Sequence, residues 1–171
     1  MKTISELRSR IEFQDPLYLR AEIWNLRFFK GVHMSDPMSD ASRDSLKHLR
    51  QGLLRLHKML LDLERVGYER AHHRIGNSYE FLQLVLKDPW FDWLHRLSEV
   101  IVQIDETLDI RDMEQPATDE DARELITRAK ALLSPAEEGT EFQKNYFLAL
   151  QQSPDVVLLH SELMKALRST D

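Results

Sequence analysis

The stretch DASRDSLKHLRQGLLRLHKMLLDLERVGYERAHH, residues 40–73, decides the fold. Within it Leu46, Leu49, Leu53, Leu56, Leu60 and Leu63 recur at alternating steps of three and four. That period lines side chains along one seam of an α-helix and suits helices crossing at about +20° in left-handed bundles. A helix from Asp40 to His73 would be about 50 Å long at roughly 1.5 Å per residue, long enough to be the spine of a bundle. The next positions in register, Gly67 and Arg70, cannot fill a core hole, so a bend or an exit from the core is expected near Gly67. The flanks decide what the seam packs against. Arg50, His57 and Glu64 on one side and Ser45, Gly52, Met59 and Val66 on the other do not form complementary charge pairs. Met59 and Val66 instead widen the apolar face, as in a helix packed within its own chain.

Outward from the spine, proline punctuation divides the chain. Five of the six prolines follow Asp or Ser: Asp15-Pro16, Asp36-Pro37, Asp88-Pro89, Ser134-Pro135 and Ser153-Pro154. An Asp or Ser oxygen caps the first free N–H groups of a helix, and proline at the first helical position gives up a donor that has no partner there. Each pair therefore reads as a helix start. Asn77 with Glu80, Thr118 with Asp121, Ser134 with Glu137 and Thr140 with Gln143 have the spacing of capping boxes. Apolar residues recur at helical spacing from Leu19 to Phe29, from Tyr79 to Leu86, from Trp90 to Leu108, from Phe142 to Leu150 and from Val156 to Leu167. No segment alternates with period two, and no Asn-Gly or Asp-Gly hairpin turn occurs. The expectation is an all-α, single-domain helical bundle of about six to seven helices with one long central helix. Residues 1–37 are expected to supply N-terminal helices packing on it, and residues 109–117, around Pro116, a surface linker.

Composition sets the remaining bounds. A chain of 171 residues suits one core, since a domain of this size hides roughly 70% of the surface its unfolded chain exposes. The absence of cysteine excludes disulfides, thiolate zinc sites, iron–sulfur clusters and cysteine nucleophiles. No apolar run approaches the roughly 20 residues needed to span a bilayer. Residues 1–10 also lack the apolar run of a secretory signal, and elimination leads to the expectation of a cytoplasmic protein. The net charge of −6 is uneven. Residues 1–75 hold 14 Lys and Arg against 10 Asp and Glu, and the remainder 9 against 19. Basic and acidic faces complementing one another within one bundle account for this, as does a separate partner for each face.

Candidate chemistry is sparse. Di-iron bundles use Glu-x-x-His twice, with further Glu from two other helices; here Glu69 and His72 supply the motif once. His57 borders the leucine seam within about 20° of Glu64 on a helical wheel, and His160 sits between Val156 and Leu163 on the last helix. Two imidazoles and a carboxylate converging inside the bundle would make a metal or small-ligand site, and buried histidines satisfied by ordinary hydrogen bonds are the alternative. Arg43, Lys47, Arg50, Lys58 and Arg65 project within about 80° on the face opposite the leucines. Such a basic face could track phosphates, but Asp44, Asp62, Glu64 and Glu69 interrupt it, so nucleic acid is the weakest reading. Trp24, Phe28 and Phe29 with Arg20, Arg27 and Lys30 make a basic amphipathic segment whose apolar residues nearly encircle it, which fits a helix packed on two sides. A Gly-x-Ser-x-Gly elbow, a glycine-rich phosphate loop and a His-Glu-x-x-His motif are all missing.

The segment Asp88-Pro89-Trp90-Phe91, with Trp93, Leu94, Leu97 and Ser98 and the following Val100, Ile104 and Asp105, resembles small uncharacterised bacterial all-α proteins that share this tryptophan-rich helix start. The likeness runs from about Leu49 to Leu167. It implies a bacterial source and an all-α fold, and carries no activity or site residue with it. The sequence thus leads to a non-enzymatic helical bundle acting on a protein partner or on copies of itself, with no cofactor. The alternatives are a His/Glu metal or ligand site, with or without enzymatic activity, and nucleic-acid binding.

Overall fold

The computed structural model describes residues 36–109 and 116–168. Contacts divide the chain into two units, residues 1–35 and 36–171, and the described residues belong to the second. The expected N-terminal helices, the Asp15-Pro16 start and the Trp24 segment lie outside the described residues.

The described residues form an all-α bundle. α1 (Asp40–Ala71), α2 (Ser78–Lys87), a 3₁₀ helix (Pro89–Leu94), α3 (His95–Leu108), α4 (Asp119–Leu132), α5 (Glu141–Gln152) and α6 (Pro154–Arg168) follow in order. α1 is the spine: α3, α4, α6 and the 3₁₀ helix all pack on it, α5 packs on α6, and α2 lies chiefly against the 3₁₀ helix. Its leucine seam is the reason. Leu46, Leu49, Leu53, Leu56 and Leu60 are buried, and Leu63 packs at the margin of the core. Each fully buried leucine contributes roughly 1.5–3 kcal/mol, so the seam alone binds three helices to one axis.

α1 does not leave the core at Gly67. It continues to Ala71, because the 3₁₀ helix lays aromatic rings over its last turns. The Trp90 indole lies against Gly67, where an added Cβ would stand 3.4 Å from the ring. One residue on, Tyr68 is buried with Phe91 at a ring separation of 5.7 Å. A glycine that looks like a break in the seam is the seat for a tryptophan.

The helix starts divide by local chemistry. Thr118 and Thr140 form complete capping boxes with Asp121 and Gln143. Asp88 accepts from Trp90 N and Ser153 from Val156 N, as expected of residues preceding a helical proline. Asn77 accepts from Glu80 N, but the Glu80 carboxylate reaches back to Gly76 N, so this box is only half made.

Two expected starts are corrected. Asp36-Pro37 opens no helix: Ser39 caps α1 by accepting from Ser42 N, while Pro37 sits in an isolated bridge with Thr118. Ser134-Pro135 opens none either. Residues 134–140 are turn and irregular backbone, and the Ser134 hydroxyl donates back to the Lys130 carbonyl. The bridge at Pro37 has a purpose, since Met38 N donates to the Ala117 carbonyl and Ser39 donates to Asp119 through both N and Oγ. These bonds clip the first turns of α1 and α4 together and hold the Asp119 carboxyl below its ordinary range. Of the expected linker, Asp109 ends α3 and Ala117 lies in this clip; residues 110–115 are outside the described residues.

Candidate functional site

The polar side chains set inside the bundle fall into separate pairs. His57, projecting from the edge of the α1 seam, meets Ser98 of α3, with Nε2 and Oγ 3.1 Å apart. The Ser98 hydroxyl also lies 3.5 Å from the Leu94 carbonyl one turn back. Burial, with the nearby His95 imidazole adding to it, holds the His57 pKa below the ordinary histidine value. His57 is therefore neutral at pH 7, with one ring nitrogen available to Ser98. His95 Nε2 donates to the Val85 carbonyl at 2.9 Å and ties the start of α3 to α2.

The second pair joins α5 to α6. Tyr146, fully buried, lies 2.9 Å from His160 Nδ1 through its hydroxyl. Burial pushes the phenol pKa far above the ordinary tyrosine value and the imidazole below the ordinary histidine value, so the neutral phenol donates to the neutral ring. Phe142 and Trp93 continue the aromatic layer from Tyr146, at ring separations of 5.5 and 5.3 Å.

The third group closes the far end of α1. Tyr68 stacks on His72 at 4.4 Å and meets Trp90 edge-on at 5.8 Å. Burial raises the pKa of Glu64, and the Trp90 indole N–H, near enough to offset part of that rise, makes no well-formed hydrogen bond with it. Trp90 Nε1 is thus a buried donor without a bonded acceptor, a deficit on the order of 1–3 kcal/mol. Glu69 is spent on structure: one carboxylate oxygen accepts from Ile75 N at 3.1 Å and from Arg65 Nε at 3.4 Å, fastening the chain that leaves α1.

The five sequence candidates therefore occupy different places. His57 faces Ser98, His160 faces Tyr146, Glu64 approaches Trp90, Glu69 holds a turn, and His72 is an exposed ring stacked on Tyr68. Among the described residues no three His, Asp or Glu side chains come together in a set that would hold a metal ion. Ser98 and Tyr146 are the partners that sequence reasoning missed. Ser98 did leave a signal, a hydroxyl one turn after Leu94 inside an otherwise apolar stripe.

The basic face is likewise occupied. Lys47 pairs with Asp44, Lys58 with Asp62 at 2.7 Å and Arg65 with Glu69. Arg50 forks onto Asp105 of α3, and Arg43 donates to the Leu108 carbonyl. Arg65 also lies over the Phe81 ring, 5.2 Å from its centroid. Each cation of the row thus has an acceptor within the chain. Ion pairs this exposed contribute at most about 1 kcal/mol each, so their main effect is to neutralise the face.

Two surfaces remain uncovered among the described residues. α2 has no fully buried residue, and its Tyr79, Leu82 and Leu86 are 72%, 50% and 51% exposed. Between α1 and α6 runs an open recess of about 440 Å³, floored by Met59 and Leu159 and edged by charged side chains. Comparison with family models, with curated proteins and with solved structures finds no match. No helix among the described residues is long and apolar enough to cross a membrane.

Proposed function

We propose that this bundle works by binding a protein surface, either another protein or a second copy of itself, and performs no chemistry of its own. The observation that carries the reading is α2. A ten-residue helix with only Glu80 and Lys87 charged turns Tyr79, Leu82 and Leu86 to solvent at spacings of three and four. Apolar residues grouped in this way on one helix are the usual mark of a binding face, whereas scattered ones need no explanation. The internal polar groups support the same reading, because His57, Ser98, Tyr146 and His160 satisfy one another in pairs. Pairs of that kind lock helices together across their interfaces.

Native mass spectrometry of untreated full-length chain, with elemental analysis of the same material, tests the proposal. A protein-only species, alone or in a defined assembly, is the expected result. A metal, haem or flavin retained in stoichiometric amount would overturn it.

A further inference from the structure

We infer that the α1–α6 groove is the face through which two copies of this chain pair, an assignment that rests on the interaction reading above and names the partner. The groove sets a projecting apolar side chain beside a recessed apolar floor. Leu158 stands beside it 64% exposed, while Met59 and Leu159 form a recessed apolar floor. A projecting leucine and an open apolar recess on one patch suit a two-fold interface, since each copy must offer both halves of the contact.

The charges point the same way. On the α1 wall Lys58 is satisfied by Asp62, but Arg55 has no ion pair or hydrogen bond among the described residues. On the α6 wall Asp155 and Glu162 have none either. Among the described residues, one unpaired cation and two unpaired anions thus line opposite sides of a single groove. The two helices run antiparallel here, because Gly52 touches Leu163 while residues 55–62 face residues 155–162. Arg55 and Glu162 therefore lie within about one helical turn of the same level. A two-fold axis running along the groove lays α1 of each copy over α6 of the other at matching height. Each Arg55 then meets the partner copy's acidic wall, and each Leu158 faces the other copy's recess.

The size of the patch sets the strength. α6 is about 22 Å long, and two adjacent helices present a strip about 20 Å wide, so face-to-face pairing buries on the order of 1,000 Å² in total. That is the small end of specific interfaces, so the pairing is a weak, reversible one.

Sedimentation equilibrium of the full-length chain from about 1 to 300 µM tests the assignment, with circular dichroism checking that each surface variant stays folded. The wild type is expected to dimerise in this range, and Leu158→Glu to weaken pairing at least tenfold. Arg55→Glu and Glu162→Arg should each weaken it about tenfold, and the double variant Arg55→Glu/Glu162→Arg should restore most of the loss. A wild type that stays monomeric at 300 µM overturns the inference, as does a dimer indifferent to Leu158→Glu. A monomeric chain free of cofactor removes only the second copy as partner, whereas a retained cofactor removes the interaction reading whether or not the chain dimerises.

Discussion

At the scale of single residues, the same amino acid has opposite value at two places on α1. Both Gly52 and Gly67 lie inside the helix, where replacement by Ala gains about 1 kcal/mol of helix propensity. At Gly52 a Cβ would overlap the buried Leu163 side chain of α6, whereas at Gly67 it would make an ordinary contact with Trp90. Gly67→Ala is therefore expected to raise stability by about 0.5–1 kcal/mol, and Gly52→Ala to lower it by about 1–2 kcal/mol. Urea unfolding of the two variants side by side checks the opposite signs. Glu64 is a second test at this scale. Its carboxylate is held half-buried against the cost of desolvation, beside an indole N–H that lacks an acceptor. Glu64→Gln removes the charge and keeps a carbonyl facing Trp90, and should stabilise the fold at pH 7 by up to about 1 kcal/mol, a rise of about 2–4 °C in Tm for a chain of this size. No change, or a loss, in a thermal melt would show that the carboxylate is better solvated than its position implies.

At the scale of elements, helix starts are decided by whether the cap side chain meets the backbone two or three residues on. Thr118 and Thr140 do so, and each is reinforced by the return bond from Asp121 or Gln143. Ser134 does not: its hydroxyl donates backward to Lys130, and no helix follows. Thr118→Ala and Thr140→Ala are thus expected to cost about 1 kcal/mol each, and Ser134→Ala only a few tenths. Equilibrium unfolding of the three variants distinguishes a working cap from a Ser-Pro pair that resembles one. The tryptophan-rich segment at Asp88 is explained at this scale as well. Phe91, Trp93 and Leu94 are buried from a 3₁₀ helix only six residues long, which joins α2, the end of α1 and α5. Its unusual composition follows from packing, because a short element that must reach three neighbours needs large side chains.

At the scale of the whole molecule, the internal histidines make stability depend on pH. Burial holds the pKa of His57 and of His160 below the ordinary value of 6.5. Above about pH 6.5 both are neutral folded and unfolded alike, and their contribution is complete. As pH falls below that value the unfolded chain binds protons first, so stability declines until the folded-state values are passed. Glu64 acts in the opposite sense: its raised pKa makes its contribution complete below the ordinary value of 4.5 and lost as pH rises through the folded value. Thermal melts from pH 8 to pH 5 should therefore show Tm falling below about pH 6.5. The double variant His57→Gln/His160→Gln, which keeps an acceptor for Ser98 and for Tyr146, should flatten that limb. An unchanged slope would mean that the two imidazoles bind protons equally in the folded and unfolded chain.

What the sequence determined by itself is whatever depends on residues three or four apart. The leucine seam of α1, the capping boxes at Thr118 and Thr140, the starts at Asp88 and Ser153 and the absence of strands among the described residues all rest on interactions within one or two turns. Only the tertiary structure decided which side chains meet across helices. Ser98 opposite His57 is 41 residues away in the chain, Asp105 opposite Arg50 is 55, and Asp119 opposite Ser39 is 80. The same long-range placement seats Trp90 on Gly67, neutralises the basic row and holds His57, Glu64 and His160 to separate partners. A helical wheel gives the direction in which a side chain leaves its own axis, but the group waiting there is set by the crossing of a second axis, and that crossing comes from the summed burial of the whole core.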